Sequence, residues 1–87
     1  MTYTVRLARQ AERYLERLPQ DVQRRMLERL GQLAHDPYGV NTKPLQGALG
    51  RRSSRVGGWR ILFRVDEEAS EVDVSDIGPR GQIYRGL

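Results

Sequence analysis

Residues 55–65, Arg-Val-Gly-Gly-Trp-Arg-Ile-Leu-Phe-Arg-Val, constrain the fold more than any other part of the chain. Gly57 and Gly58 sit between two runs that suit extended backbone, and the second run is rich in β-branched and aromatic residues. The segment therefore reads as a strand, a tight turn and a second strand. Side chains alternate between the two faces of a strand, so Ile61, Phe63 and Val65 point one way and Arg60, Leu62 and Arg64 the other. The first face can enter a core. The second is expected to carry guanidinium groups into solvent or onto an anionic partner.

Charge along the chain is as uneven as hydropathy. Between Pro37 and Val65 there is no acidic residue, whereas Lys43, Arg51, Arg52, Arg55, Arg60 and Arg64 all fall there. The acidic residues lie before Pro37 or within 66–76, so the formal charge of +4 understates a local basic excess. With a pI near 10.1, such an excess favours an anionic partner.

The chain has 87 residues, 38% of them hydrophobic, enough for a single domain spanning 1–87 with a modest core. It contains no cysteine, so neither disulfides nor thiolate metal ligands can supplement that core. This composition suits a reducing cytoplasm, the expected location. There is no apolar run long enough to cross a bilayer, and the N-terminus lacks the apolar stretch of a secretion signal, so no membrane partner is expected.

Residues 2–7 read as a first strand with Tyr3, Val5 and Leu7 on one face. Helical spacing follows. Ala8, Ala11, Leu15 and Leu18 form an apolar stripe, and outside it Arg9, Glu12, Arg13, Glu16 and Arg17 alternate in sign and can pair along the helix. Pro19 interrupts this helix and suits the first turn of another, whose stripe is Val22, Met26, Leu30 and Leu33, with Arg24 and Arg25 near Glu28 outside it. Pro37 ends the second helix near residues 34–36. Two helices joined so closely should form an antiparallel hairpin.

Residues 37–50 hold two prolines and three glycines among few apolar side chains and read as a loop, with Lys43 placed to reach the sheet. Three strands then follow, at 51–56, 59–65 and 71–77. The expected fold class is α+β: an N-terminal strand and helical hairpin packed on one face of a small, mainly antiparallel sheet. The Arg60 face would be left open.

Conventional catalytic groupings are missing. The single histidine, His35, lies at the end of the second helix and is better explained by the last helical carbonyls than as a general base. No cluster has metal-ligand spacing and no glycine loop has phosphate-binding form, so no metal or cofactor is expected. What remains is an arginine face with tyrosines. Arginine suits phosphate because its planar fork donates two hydrogen bonds and stays charged. Such groups can neutralise a phosphorane-like transition state. A tyrosine beside them can take a proton or stack on a base. At this level a basic surface that docks on an acidic protein is an equally good account.

Taken together, Lys43-Pro44-Leu45, the 55–63 stretch, and Ile77-Gly-Pro-Arg80-Gly-Gln-Ile-Tyr84-Arg85 resemble the RelE/ParE superfamily of bacterial toxins, and more closely its RelE branch. The resemblance covers essentially the whole chain. It implies a RelE-like fold and a type II toxin, a ribosome-dependent endoribonuclease that cuts messenger RNA. In that reaction the 2′-hydroxyl is the nucleophile and a 2′,3′-cyclic phosphate is left. Carried over by position, Arg60 would stabilise the transition state at the scissile phosphate, Arg80 would act with it on phosphate or leaving group, and Tyr84 would stack on a base or abstract a proton. Arg55 and Lys43 would support phosphate binding, and Arg51 more loosely.

The chain departs from the family pattern at several points. Trp59 replaces a usual tyrosine, Gly58 an aspartate and Pro79 a histidine. Where RelE-like members carry strand lysines, one a candidate base, this chain has Arg51, Arg52, Ser53 and Ser54. Arginine scarcely deprotonates, so a base on that strand is not provided. The resemblance also implies a cognate antitoxin, the ribosome and mRNA as partners, and operator DNA only through the antitoxin. The ParE branch, which poisons DNA gyrase, and an inactive toxin fold that only binds its antitoxin are the alternatives.

Overall fold

The computed structural model describes residues 2–47 and 49–79. Its elements are β1 (Thr4–Leu7), α1 (Arg9–Glu16), α2 (Gln20–His35), β2 (Thr42–Pro44), β3 (Arg51–Val56), β4 (Trp59–Asp66) and β5 (Glu71–Pro79). The strands form one mixed sheet in the order β1-β5-β4-β3-β2. β1 runs parallel to β5, and the other three pairings are antiparallel. The expected α+β arrangement is present, with helices packed on a mainly antiparallel sheet.

The second helical stripe enters the core, and so does the middle of the first, whereas Ala8 caps α1 and is exposed. Ala11 and Leu15 from α1 join Val22, Met26, Leu30 and Leu33 from α2, and all six are buried against Val56, Ile61, Phe63, Val72, Val74 and Ile77 of the sheet. Phe63 is fully buried and stands opposite Val74 of β5, so its truncation to alanine would cost roughly 3–5 kcal/mol. Tyr3, Val5 and Leu7 pack against the rim of this core. On the outer side of α1 the alternating charges form no ion pairs with one another; among the described residues the side-chain ion pair is Arg6–Glu71, at 3.2 Å.

A bulge reconciles β5 with the core. Leu62 faces Asp76 and Phe63 faces Val74, so Ser75 is an extra residue with no counterpart on β4. Val72 and Val74 are even-numbered and Ile77 is odd-numbered, yet all three reach the helix side because the bulge absorbs one step of the alternation.

Two expectations need correction. Residues 37–50 are not all loop: Thr42–Pro44 pairs with Ser54, Ser53 and Arg52 as an edge strand, β2. The arginine face is also less open than its sequence suggests. Arg60 is only 6% exposed and Leu62 is wholly buried, although neither belongs to the helix-side core. Both lie on β4, which is an inner strand of the sheet. Among the described residues, no helix is long and apolar enough to cross a membrane.

Two basic side chains hold this framework together. From α2, Arg29 donates through Nη1 to Ser54 Oγ at 2.9 Å and to the Arg55 carbonyl at 2.6 Å, which ties the helix to β3. Arg52 donates to the Pro37 carbonyl (3.2 Å) and Thr42 Oγ1 (2.8 Å), and its guanidinium lies 5.1 Å from the centre of the Tyr38 ring. It therefore anchors the segment leading into β2.

Candidate nucleic-acid interface

The face of the sheet away from the helices carries the basic side chains in register. Arg55 stands opposite Arg60, and Arg51 opposite Arg64, across β3 and β4. Between these pairs Ser53 faces Leu62, and on its other side Ser53 faces Lys43 of β2. Like charges directly opposite on a sheet are destabilising, by up to about 1 kcal/mol a pair. Such repulsion is relieved when an anion sits between them.

Lys43, Arg55 and Arg60 converge on one open groove of about 490 Å³, whose lining also includes Asn41, Thr42, Ser53 and Gly57 and, among the described residues, holds no acidic one. Lys43 and Arg55 are exposed. Arg55 is steadied by its Nε, which donates to the Gly57 carbonyl at 3.1 Å. Gly57 itself has φ +59°, the left-handed region that a tight hairpin turn uses and that glycine enters without cost. A methyl group there would also lie 2.8 Å from Arg25 Nη2, so α2 covers this turn. Of the two turn glycines, only Gly57 needs to be glycine.

The structure thus brings together Lys43, Arg55 and Arg60 and leaves Arg51 apart. Arg51 lines a separate groove of about 420 Å³ with Arg6, Arg64 and Asp73, nearer the β1 edge. Arg80 and Tyr84 lie outside the described residues. One groove residue had no signal in the sequence: Ser53, 1% exposed, with an Oγ that has no hydrogen-bond partner. Alternation places it on this face, but its burial and its place opposite Lys43 come only with the fold.

Tyr3 and Tyr38 are poorly suited to take a proton. Tyr3 donates its hydroxyl to Glu67, and that hydrogen bond, ahead of burial and the Glu67 charge, pushes its pKa up to about 12. Burial, and then the charge of Glu67, raise Tyr38 as well, against the lowering effect of Arg52. At the other corner of the sheet, Asp66, Glu71 and Asp73 bring carboxylate oxygens within 4.8 Å of one another, the described grouping closest to a cation site. Arg6 pairs with Glu71 there. The carboxylates of the sheet thus lie on β4 and β5, away from the Lys43 groove.

A two-helix layer on a mixed sheet, with arginines set across a β-hairpin, defines a class of small basic α+β protein. The family model described as "ParE toxin of type II toxin-antitoxin system, parDE" matches residues 5–84, and the chain belongs to that family. It is 38% identical over 87 residues to Toxin RelG of Mycobacterium tuberculosis (strain ATCC 25618 / H37Rv), a match spanning 98% of this chain and 99% of the relative. Toxin RelE of the same organism is 32% identical over 85 residues, spanning 95% of this chain and 87% of the relative. Among solved structures, the toxin–antitoxin complex RelBE2 from M. tuberculosis is similar at a TM-score of 0.81 and 34% identity, covering 92% of this chain and 100% of that one. The chain is accordingly a type II toxin of the RelE/ParE superfamily, nearer to its RelE members.

Proposed function

We propose that this toxin cuts messenger RNA on the ribosome and is silenced by a cognate antitoxin. The observation that carries the proposal is the convergence of Lys43, Arg55 and Arg60 on one groove that, among the described residues, holds no acidic one. In the reaction, the ribose 2′-hydroxyl attacks the adjacent phosphorus, the bond to the 5′-oxygen breaks, and a 2′,3′-cyclic phosphate and a 5′-hydroxyl remain. Charge builds up on the phosphoryl oxygens. A cation already fixed in place stabilises that charge without reorganising, and Arg60, on an inner strand, is the best-fixed cation of the groove. Arg55 and Lys43 bind phosphate at the rim, and Arg51 contacts the strand further along. By position, Arg80 acts on phosphate or leaving group, and Tyr84 stacks or moves the proton.

The same reading assigns the antitoxin an acidic and apolar segment that covers the basic face. Similar proteins are known in complexes of this general kind, the toxin–antitoxin complex RelBE2 and the archaeal RelE–RelB complex from Pyrococcus horikoshii OT3. One observation favours the ParE-like alternative: the strand that carries lysines in RelE-like members offers Arg51, Arg52, Ser53 and Ser54, none of them a ready base at neutral pH.

The deciding experiment is induced expression of the chain with primer extension on a reporter mRNA, beside an Arg60→Ala, Arg80→Ala double variant. Translation-dependent cuts that vanish in the variant support the endonuclease. Growth arrest with intact mRNA and gyrase-dependent DNA breaks would replace it with the gyrase poison. The absence of any arrest would leave a protein that only binds its antitoxin.

A further inference from the structure

Two adjacent serines on β3 meet opposite fates. Ser54 faces the helices, where its Oγ donates to the Asn41 carbonyl at 2.9 Å and accepts from Arg29 Nη1. Ser53 faces the groove, is equally buried, and its Oγ has no hydrogen-bond partner. A desolvated hydroxyl left unsatisfied destabilises the fold that holds it, so such a group calls for a ligand. The surroundings indicate which. Ser53 lies opposite Lys43 and two residues from Arg55 on the same face, and Arg55 is opposite Arg60. Three cations therefore ring one neutral donor. Among the described residues neither a carboxylate nor an imidazole lines the groove, and a serine hydroxyl beside cations is set to donate.

We propose that Ser53 is a substrate-positioning residue whose Oγ donates a hydrogen bond to a non-bridging phosphate oxygen of single-stranded RNA seated among Lys43, Arg55 and Arg60. This rests on the nucleic-acid reading of the groove and adds the residue that sets the depth at which the phosphate sits. The lysine and the arginines supply charge with long side chains. A hydroxyl on a two-bond stem from an inner strand supplies position.

The proposal makes stability and binding move in opposite directions. The test uses purified full-length toxin and its Ser53→Ala and Ser53→Thr variants. Each is titrated with inorganic phosphate at constant ionic strength while backbone amide shifts are followed by NMR. Thermal midpoints are measured alongside, as are KM and kcat for ribosome-bound mRNA. Phosphate is expected to shift the amides of Lys43, Ser53 and Arg55. In Ser53→Ala its affinity should fall about tenfold and KM should rise in step while kcat holds. The thermal midpoint of that variant should stay level or rise, because an unsatisfied buried hydroxyl has been removed. Ser53→Thr retains the donor and should stay near wild type in binding.

A lowered midpoint with unchanged phosphate affinity in Ser53→Ala would make Ser53 a structural residue and overturn the proposal. Cutting with unaltered KM in that variant would also remove Ser53 from the site, while leaving the endonuclease standing. Conversely, Ser53-dependent phosphate binding by a protein that leaves ribosome-bound mRNA intact would keep the anion site and discard the endonuclease.

Discussion

Arg55 and Arg60 face each other across the β3–β4 hairpin next to its turn, one exposed and the other almost wholly enclosed. On the proposed reading the pair divides the work of a phosphate site. The enclosed guanidinium is held by the sheet, and the exposed one can follow a ligand. Replacing Arg60 with alanine is expected to lower kcat for mRNA cleavage by roughly 10²–10³, the usual loss when one fixed donor to a developing charge is removed. Arg55→Ala should act mainly on KM. Single-turnover cleavage of ribosome-bound mRNA separates the two effects, with antitoxin binding as the check on folding. Wild-type turnover in Arg60→Ala would remove that residue from the chemistry.

Salt dependence reports how many phosphates the groove neutralises. Each contact to a single strand contributes a slope of about −0.7 to log K against log salt, so three cations predict a slope near −2. For Lys43→Ala the slope should become shallower by about 0.7, with affinity falling alike for all sequences. Fluorescence anisotropy with a labelled oligoribonucleotide at several salt concentrations measures both. An unchanged slope would place Lys43 outside the phosphate path.

The hairpin turn gives a paired test of backbone geometry. Gly57 has φ +59°, whereas Gly58 lies outside the positive-φ region and has open space around it. Gly57→Ala should cost about 1–2 kcal/mol, mostly from the left-handed backbone, because Arg25 is flexible at its far end and can withdraw. On a domain of this size each kcal/mol lowers the thermal midpoint by about 4–8 °C. Gly58→Ala should leave the midpoint near that of wild type. Equal effects at the two sites, measured by thermal denaturation, would contradict the assigned turn.

Tyr3 supplies an alkaline marker. Its pKa is raised to about 12 by the hydrogen bond to Glu67, so the protonated phenol is favoured in the folded state. A raised pKa contributes stability that is complete below the unfolded value, about 10, and is lost as pH climbs towards the folded value. The stability difference between wild type and Tyr3→Phe should therefore be constant from neutral pH to about 10 and shrink between about 10 and 12. Denaturant unfolding across that range, with tyrosinate absorbance, follows it. Loss of the difference already below pH 9 would show that the Tyr3–Glu67 bond is not its source.

Much of this architecture is local and could be read in advance. Val22, Met26, Leu30 and Leu33 recur at helical steps and are buried together; Ile61 and Phe63 alternate with Arg60 and Leu62 and take opposite faces. What could not be read was set by partners distant in sequence. Thr42–Pro44 has no strand pattern of its own and becomes β2 because β3 offers it an edge. Ile77 joins the core out of phase with Val72 and Val74 because a bulge at Ser75 shifts β5 against β4.

The same division runs through the basic residues. Composition alone established an arginine-rich segment without acids, and alternation sorted it into two faces, since both follow from nearest-neighbour geometry. Tertiary structure decided where each cation is placed. Arg52 is committed to Pro37, Thr42 and Tyr38, and Arg29 to Ser54 and the Arg55 carbonyl, while Arg51 is carried to a second groove. Lys43, Arg55 and Arg60 are gathered around Ser53 because β2 and β4 flank β3. Burial and hydrogen bonding depend on which strand lies inside the sheet. That order is fixed by pairings between distant segments, whose closure no local pattern encodes.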